Sequence, residues 1–198
     1  MKYLSHRKKI ILSLFVIIIA GYFLIQILQN GNKIPKAFTE ARNNGSAIAQ
    51  SIVNISNSSN KDLDKVNEYD KIGDYTNALA LTTDIIKRNS EVSNEAIQLS
   101  SQLEIMTKNI QFIKKDNARQ EVIQSITSRL ALVSQLINYS DDLNTLLDVL
   151  RQKFTGQTIQ HGEVQGLVNK INTDINAVNN FNSQATQAMV QFDEIMKN

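Results

Sequence analysis

The sequence predicts an all-α protein: an N-terminal transmembrane helix followed by an elongated, antiparallel four-helix-type bundle of coiled-coil character. Three observations predict it. An uncharged apolar run of nineteen residues, Ile10 to Leu28, lies behind a short basic tail. Beyond it, apolar residues recur at alternating steps of three and four through most of the 198 residues, which gathers them on one face of a helix. One proline and no cysteine leave few obligatory breaks, no disulfides and no thiolate metal ligands.

The tail, residues 1–9, carries Lys2, Arg7, Lys8 and Lys9 before any acid appears; the first acid is Glu40. These four are the candidate membrane-orientation residues, because basic flanks stay cytoplasmic. Residues 10–29 form the predicted signal-anchor helix. Nineteen residues at about 1.5 Å each give roughly 28 Å, close to the hydrocarbon thickness of a bilayer. A cleaved signal peptide has a shorter apolar region and a small-x-small site, and Gln26 to Asn30 offers none. Residues 30–34 read as a linker and 35–198 as an extracytoplasmic body. An Asn-, Lys- and Ile-rich vocabulary points to an AT-rich bacterial genome, which places the expected anchor in a bacterial cytoplasmic membrane.

The net charge of +2 belongs to the tail. The rest of the chain carries 17 bases against 19 acids. A nearly neutral body lacks the concentrated cationic footprint that nucleic acid requires.

Four legs of similar length fill the body: 35–72, 74–115, 118–155 and 162–197. The first opens at Pro35, suited to a first helical position. Ile34, Phe38, Ala41, Gly45, Ile48, Ile52 and Ile55 face inward, and Ala37, Ala41, Gly45 and Ala49 form a small-residue row. Ser56 to Asn60 supplies turn and cap formers that predict an interruption, followed by a short helix turning Leu63, Val66, Tyr69 and Ile72 inward.

The stretch KIGDYTNALAL, Lys71 to Leu81, marks the first reversal. Gly73 suits a left-handed helix end and Asp74 an N-cap, which makes them the candidate helix-turn residues. Tyr69, Gly73, Tyr75 and Ala78 resemble the turn of a tetratricopeptide repeat, whereas Val66, Thr82 and Ile85 depart from its pattern. No second copy follows at that period, and stacked repeats need about three units.

The second leg runs Thr82, Ile85, Asn89, Val92, Ala96, Leu99, Leu103, Met106, Ile110 and Ile113. A second file of Leu79, Ile86, Ile97, Ile105 and Phe112 predicts a broadened buried stripe. The phase then slips, and a turn is expected near Asp116 and Asn117, with a continuous stuttering helix as the alternative. The third leg turns Val122, Ile126, Leu130, Val133, Ile137, Leu143, Leu147, Leu150 and Phe154 inward and ends at Thr155-Gly156-Gln157. The last turns Val164, Val168, Ile171, Ile175, Val178, Asn182, Ala185, Met189, Phe192 and Met196 inward. Equal legs with short connections pack up-down-up-down. Thr82, Asn89, Ser140 and Asn182 stand where apolar residues are expected and read as register-setting positions.

Chemistry is sparse. His6 and His161 stand apart from any ligand-spaced cluster, and no Gly-rich phosphate loop or nucleophile motif occurs. Asp141-Asp142, Glu163, Asp174, Asp193 and Glu194 read as solvated helix surface. The sequence therefore predicts no enzyme, no cofactor and no metal. Its expected partners are the lipid bilayer and either another protein or a second copy of itself. The predicted architecture is similar to the four-helix extracellular domains of chemoreceptors and sensor kinases, a likeness of shape alone. That likeness implies a ligand-sensing alternative, which at this chain length would signal through a partner protein.

Overall fold

The computed structural model describes residues 34–159 and 161–197. The basic tail, the predicted signal-anchor helix and residues 30–33 of the linker lie outside the described residues. Four helices form the fold: α1 (Lys36–Ile72), α2 (Tyr75–Asn109), α3 (Asp116–Phe154) and α4 (His161–Lys197). A single 3-10 turn, Ile110–Phe112, follows α2, and the described residues include no strand. Among them no helix is long and apolar enough to cross a membrane.

Side-chain bonds between helices establish the packing order. Ser51 donates to Glu95, and Arg88 reaches Ser58 and Asp62, joining α1 to α2. Asn89 donates to the carbonyl of Ser140 and to Asn144, joining α2 to α3. Ser125 donates to the carbonyl of Ala185, and Lys170 donates to Asp142, joining α3 to α4. Ser93 also meets Ser140 while Asn89 meets Asn144, and in each pair one residue number rises as the other falls, so neighbours run antiparallel. The first and last helices meet at one end, where the Phe38 and Phe192 rings lie 5.7 Å apart and Arg42 grips Asp193 through two 2.7 Å bonds.

The stripe on α2 is strict: Ala78, Thr82, Ile85, Asn89, Val92, Ala96, Leu99, Leu103 and Met106 are all buried. On α1, Phe38, Gly45, Ile52, Ser59 and Val66 are buried at steps of seven. Of the small-residue row, Ala41, Gly45 and Ala49 are buried in this bundle, whereas Ala37 is exposed. A Cβ built on Gly45 would sit 3.3 Å from Leu99 Cδ1, so the glycine admits α2 to close range.

Several expectations need correction. The helix does not break at Ser56 to Asn60; α1 is continuous from Lys36 to Ile72. Those residues are good cap formers, but tertiary partners hold them in helix. Ser59 stays in the buried row, while Ser58 and Asp62 bind Arg88. Pro35 stands one position earlier than expected, as the N-cap residue before Lys36. The reversal between α2 and α3 is a turn, formed by Ile113 to Lys115 just ahead of the expected position. Ile72, Ile97, Ile105, Phe112, Leu130 and Ile137 are exposed rather than inward. The second file on α2 therefore does not broaden the buried stripe toward its C-terminal half. It turns onto an outer surface that no neighbouring helix covers.

Candidate functional site

The interior is divided by a polar waist. One apolar cluster fills the end that carries the start of α1, the α2–α3 turn and the end of α4; Phe38, Leu103, Val122 and Phe192 anchor it. A second fills the end around Gly73, with Val66, Ile85, Leu147 and Ile171. Between them the stripes place polar residues at one level: Ser59 on α1, Asn89 on α2, Ser140 and Asp142 on α3, and Asp174 on α4, all buried.

Asn89 is the centre of this waist. Its Nδ2 lies 2.6 Å from the Ser140 carbonyl and 2.9 Å from Asn144 Oδ1. Ser140 Oγ donates back to the carbonyl of Asn89 and lies 2.7 Å from Ser93 Oγ. These bonds form only when α2 and α3 are aligned at this level, so they select one register. Thr82 is also buried, but its hydroxyl bonds within α2 to the carbonyl of Ala78. Asn182 is buried on α4, nearer the Phe38 end.

The α3–α4 side of the waist holds a carboxyl pair. Lys170 Nζ donates to Asp142 Oδ1 at 2.6 Å. Burial first, then the hydrogen bond and negative charge of Asp142, raise the pKa of Asp174; Lys170 opposes them. Oδ2 of each aspartate lacks a donor. Two buried carboxylates this close repel each other, which favours the protonated form of Asp174. Ser59 Oγ, Arg88 Nε and Asn172 Oδ1 complete the unsatisfied atoms near this level. The aspartates thus depart from the solvated-surface expectation at Asp142, Asp174 and Asp193, whose side chain is only 12% exposed.

A further charged group lies inside the Phe38 end. Arg129 is buried on α3, with Nε 3.4 Å from Ser125 Oγ. Burial, with the charge of Arg42 second, lowers its pKa to about 9. Position 129 falls three after Ile126 and four before Val133, on the stripe that α3 buries, whereas the expected inward Leu130 is exposed; the charge of arginine masks a position that the spacing marks.

The helix-turn residues lie at the opposite end. Gly73 adopts φ 75°, the left-handed conformation that glycine takes without a Cβ penalty. Its N–H bonds the carbonyl of Asp70, and the N–H of Asp74 bonds that of Tyr69. Asp74 Oδ1 accepts from the Asn77 N–H at 3.2 Å, capping α2. Beside the turn, Lys153 reaches both oxygens of Asp70, and Tyr75 stacks on Phe154. Lys2, Arg7, Lys8 and Lys9 lie outside the described residues.

The waist can hold the register of α2 against α3. Among the described residues no group of three or more His, Cys, Asp or Glu side chains could hold a metal ion. No protein family, curated protein or solved structure matches the chain.

Proposed function

We propose that the protein is a single-pass membrane protein of a bacterial cytoplasmic membrane, displaying its helical bundle outside the cytoplasm as a non-catalytic interaction or envelope-organising module. The uncharged run Ile10 to Leu28 behind Lys2, Arg7, Lys8 and Lys9 carries this reading. The bundle is consistent with it. Helices of 35 to 39 residues make a rod of about 55 Å that can reach away from a bilayer. The interior holds register-setting polar bonds in place of a nucleophile with an oriented base. Protease applied to intact spheroplasts should remove the body and leave the tail. Complete protection would overturn the orientation.

The polar waist favours a second reading, an extracytoplasmic ligand-sensing module that signals through a partner. Unsatisfied buried atoms at Ser59, Asn172, Asp142 and Asp174 are the observation behind it. Crosslinking in native membranes followed by mass spectrometry separates the two. A stable protein partner supports the interaction module. Saturable stabilisation of the purified body by a small molecule supports the sensor.

A further inference from the structure

The seam between α2 and α3 is packed less closely than the α1–α2 and α3–α4 seams. Its α3 rim carries Ile123, Leu130 and Ile137 at steps of seven, exposed at 52%, 45% and 36%. The next position in this series is Asn144, which bonds Asn89 of α2, so the series follows the edge of α3 that borders α2. On the opposite rim, Ile97 follows Ser93, the partner of Ser140, by one turn and is 58% exposed. Phe112 is exposed beyond the end of α2. Steps of seven on an open edge are the pattern of a helix awaiting another helix.

Charge narrows the choice of partner. Every exposed residue of α3 from position 120 to 138 is uncharged: Gln120, Gln124, Thr127, Ser134 and Asn138 surround the three apolar ones. On α2, Glu104 and Lys108 neutralise each other at 2.6 Å. In a two-fold symmetric contact, residues near the axis meet their own twins, and like charges would repel. A face whose rim carries no net charge is compatible with meeting itself.

The chain outside the described residues sets the direction. Residues 1–33 join α1 at the end of the bundle that also carries Phe112. Two copies held by residues 10–28 in one bilayer would point the same way and stand side by side, with the local concentration raised by the shared membrane.

We propose that the α2–α3 seam is a homotypic contact surface, on which a second copy of this chain packs in parallel through Ile123, Leu130 and Ile137. The proposal rests on the membrane-anchored reading for its parallel direction. The α3 series then faces its own copy in register along the two-fold axis.

Because the chain has no cysteine, single cysteines report the contact directly. Full-length protein in native membranes is oxidised with copper phenanthroline. Leu130→Cys should form a disulfide dimer, as should Ile123→Cys and Ile137→Cys, each with itself. Asn54→Cys, on an exposed position of α1, should stay monomeric. Adding Leu130→Glu should abolish the Ile123→Cys dimer by setting like charges together at the axis. Three outcomes overturn the proposal: monomers at all three positions while the chain remains in the membrane; Ile123→Cys joining Ile137→Cys between differently tagged copies, the antiparallel pattern; or Leu130→Cys joining Phe15→Cys within one chain, which would mean that the N-terminal run covers the seam. Alkaline carbonate extraction of the same membranes tests the anchor separately. Release of the chain overturns the anchored reading, whereas parallel self-crosslinks in released protein still support the homotypic contact.

Discussion

The Phe38 end of the bundle and its polar waist share the same helices and the same three-four spacing, yet they do different physical work. At the Phe38 end, Phe38 and Phe192 are fully buried against each other, and apart from the buried Arg129 the charges lie nearer the edges: Arg42 on Asp193, and Lys115 on the carbonyl of Ile195 at the end of α4. At the waist, the same inward positions hold Asn89 and Ser140, whose bonds are directional. Apolar burial rewards any close-packed arrangement, whereas a buried hydrogen bond rewards only one. The comparison suggests that one region supplies most of the stability and the other the alignment of helices.

The largest expected effect comes from breaking the apolar end. Phe192→Ala removes a fully buried ring and should cost about 3–5 kcal/mol. Urea unfolding of residues 31–198, followed by circular dichroism, measures it. A loss no larger than that of a waist variant would contradict the division of labour.

At the waist, Asn89→Ala should cost about 1–3 kcal/mol, because it strips the inter-helix bonds and leaves buried acceptors without a donor. Asn89→Leu sharpens the comparison. It should keep or raise the urea midpoint while weakening register, seen as faster amide exchange across α2 and α3 and a broader set of conformers. A well-ordered Asn89→Leu with unchanged exchange would remove the alignment role.

Smaller effects are expected at the far turn. Asp74→Ala removes the cap on α2 and should cost about 1 kcal/mol. Gly73→Ala forces a Cβ into φ 75° and should cost a similar amount, about 1 kcal/mol. Both are read as shifts of the urea midpoint.

The smallest and most informative effect is a pH dependence. Asp174 has a raised pKa, so the folded state holds its proton more tightly than the unfolded chain does. Its favourable contribution is present below the ordinary carboxylate range and is lost as pH rises through the raised value. Asp174→Asn should therefore stabilise the protein at neutral pH, with the gain shrinking as the solution is acidified. Asp62 runs the other way. Its hydrogen bond from Lys65 leads the causes that lower its pKa, so its contribution is lost on acidification. Thermal melts of Asp174→Asn and Asp62→Asn across pH, each relative to the parent protein, should show opposite slopes. Equal slopes would contradict the raised pKa of Asp174.

Much of the fold was legible because periodicity is a local property. The inward positions of α4 from Ile171 to Met196 and the whole stripe of α2 from Thr82 to Met106 could be read from spacing alone. The polar interruptions at Asn89 and Ser140 were legible for the same reason. Ser56 to Asn60 misled because cap formers signal a break only where nothing else holds them. Arg88, thirty residues from Ser58, supplies what the local sequence lacks. Leu130 and Ile137 misled in the opposite sense, since spacing identifies an apolar edge without saying whether another helix lies against it.

By itself, then, the sequence determined that the chain is helical, which face of each helix is apolar, and where polar residues interrupt it. These follow from the fixed rotation per residue along a helix. The tertiary structure alone decided that Asp142 and Asp174 meet and that the α2–α3 edge stays bare. Each depends on which helices stand side by side and at what level. That alignment is set by contacts between residues far apart in the chain, a relation that no local period encodes.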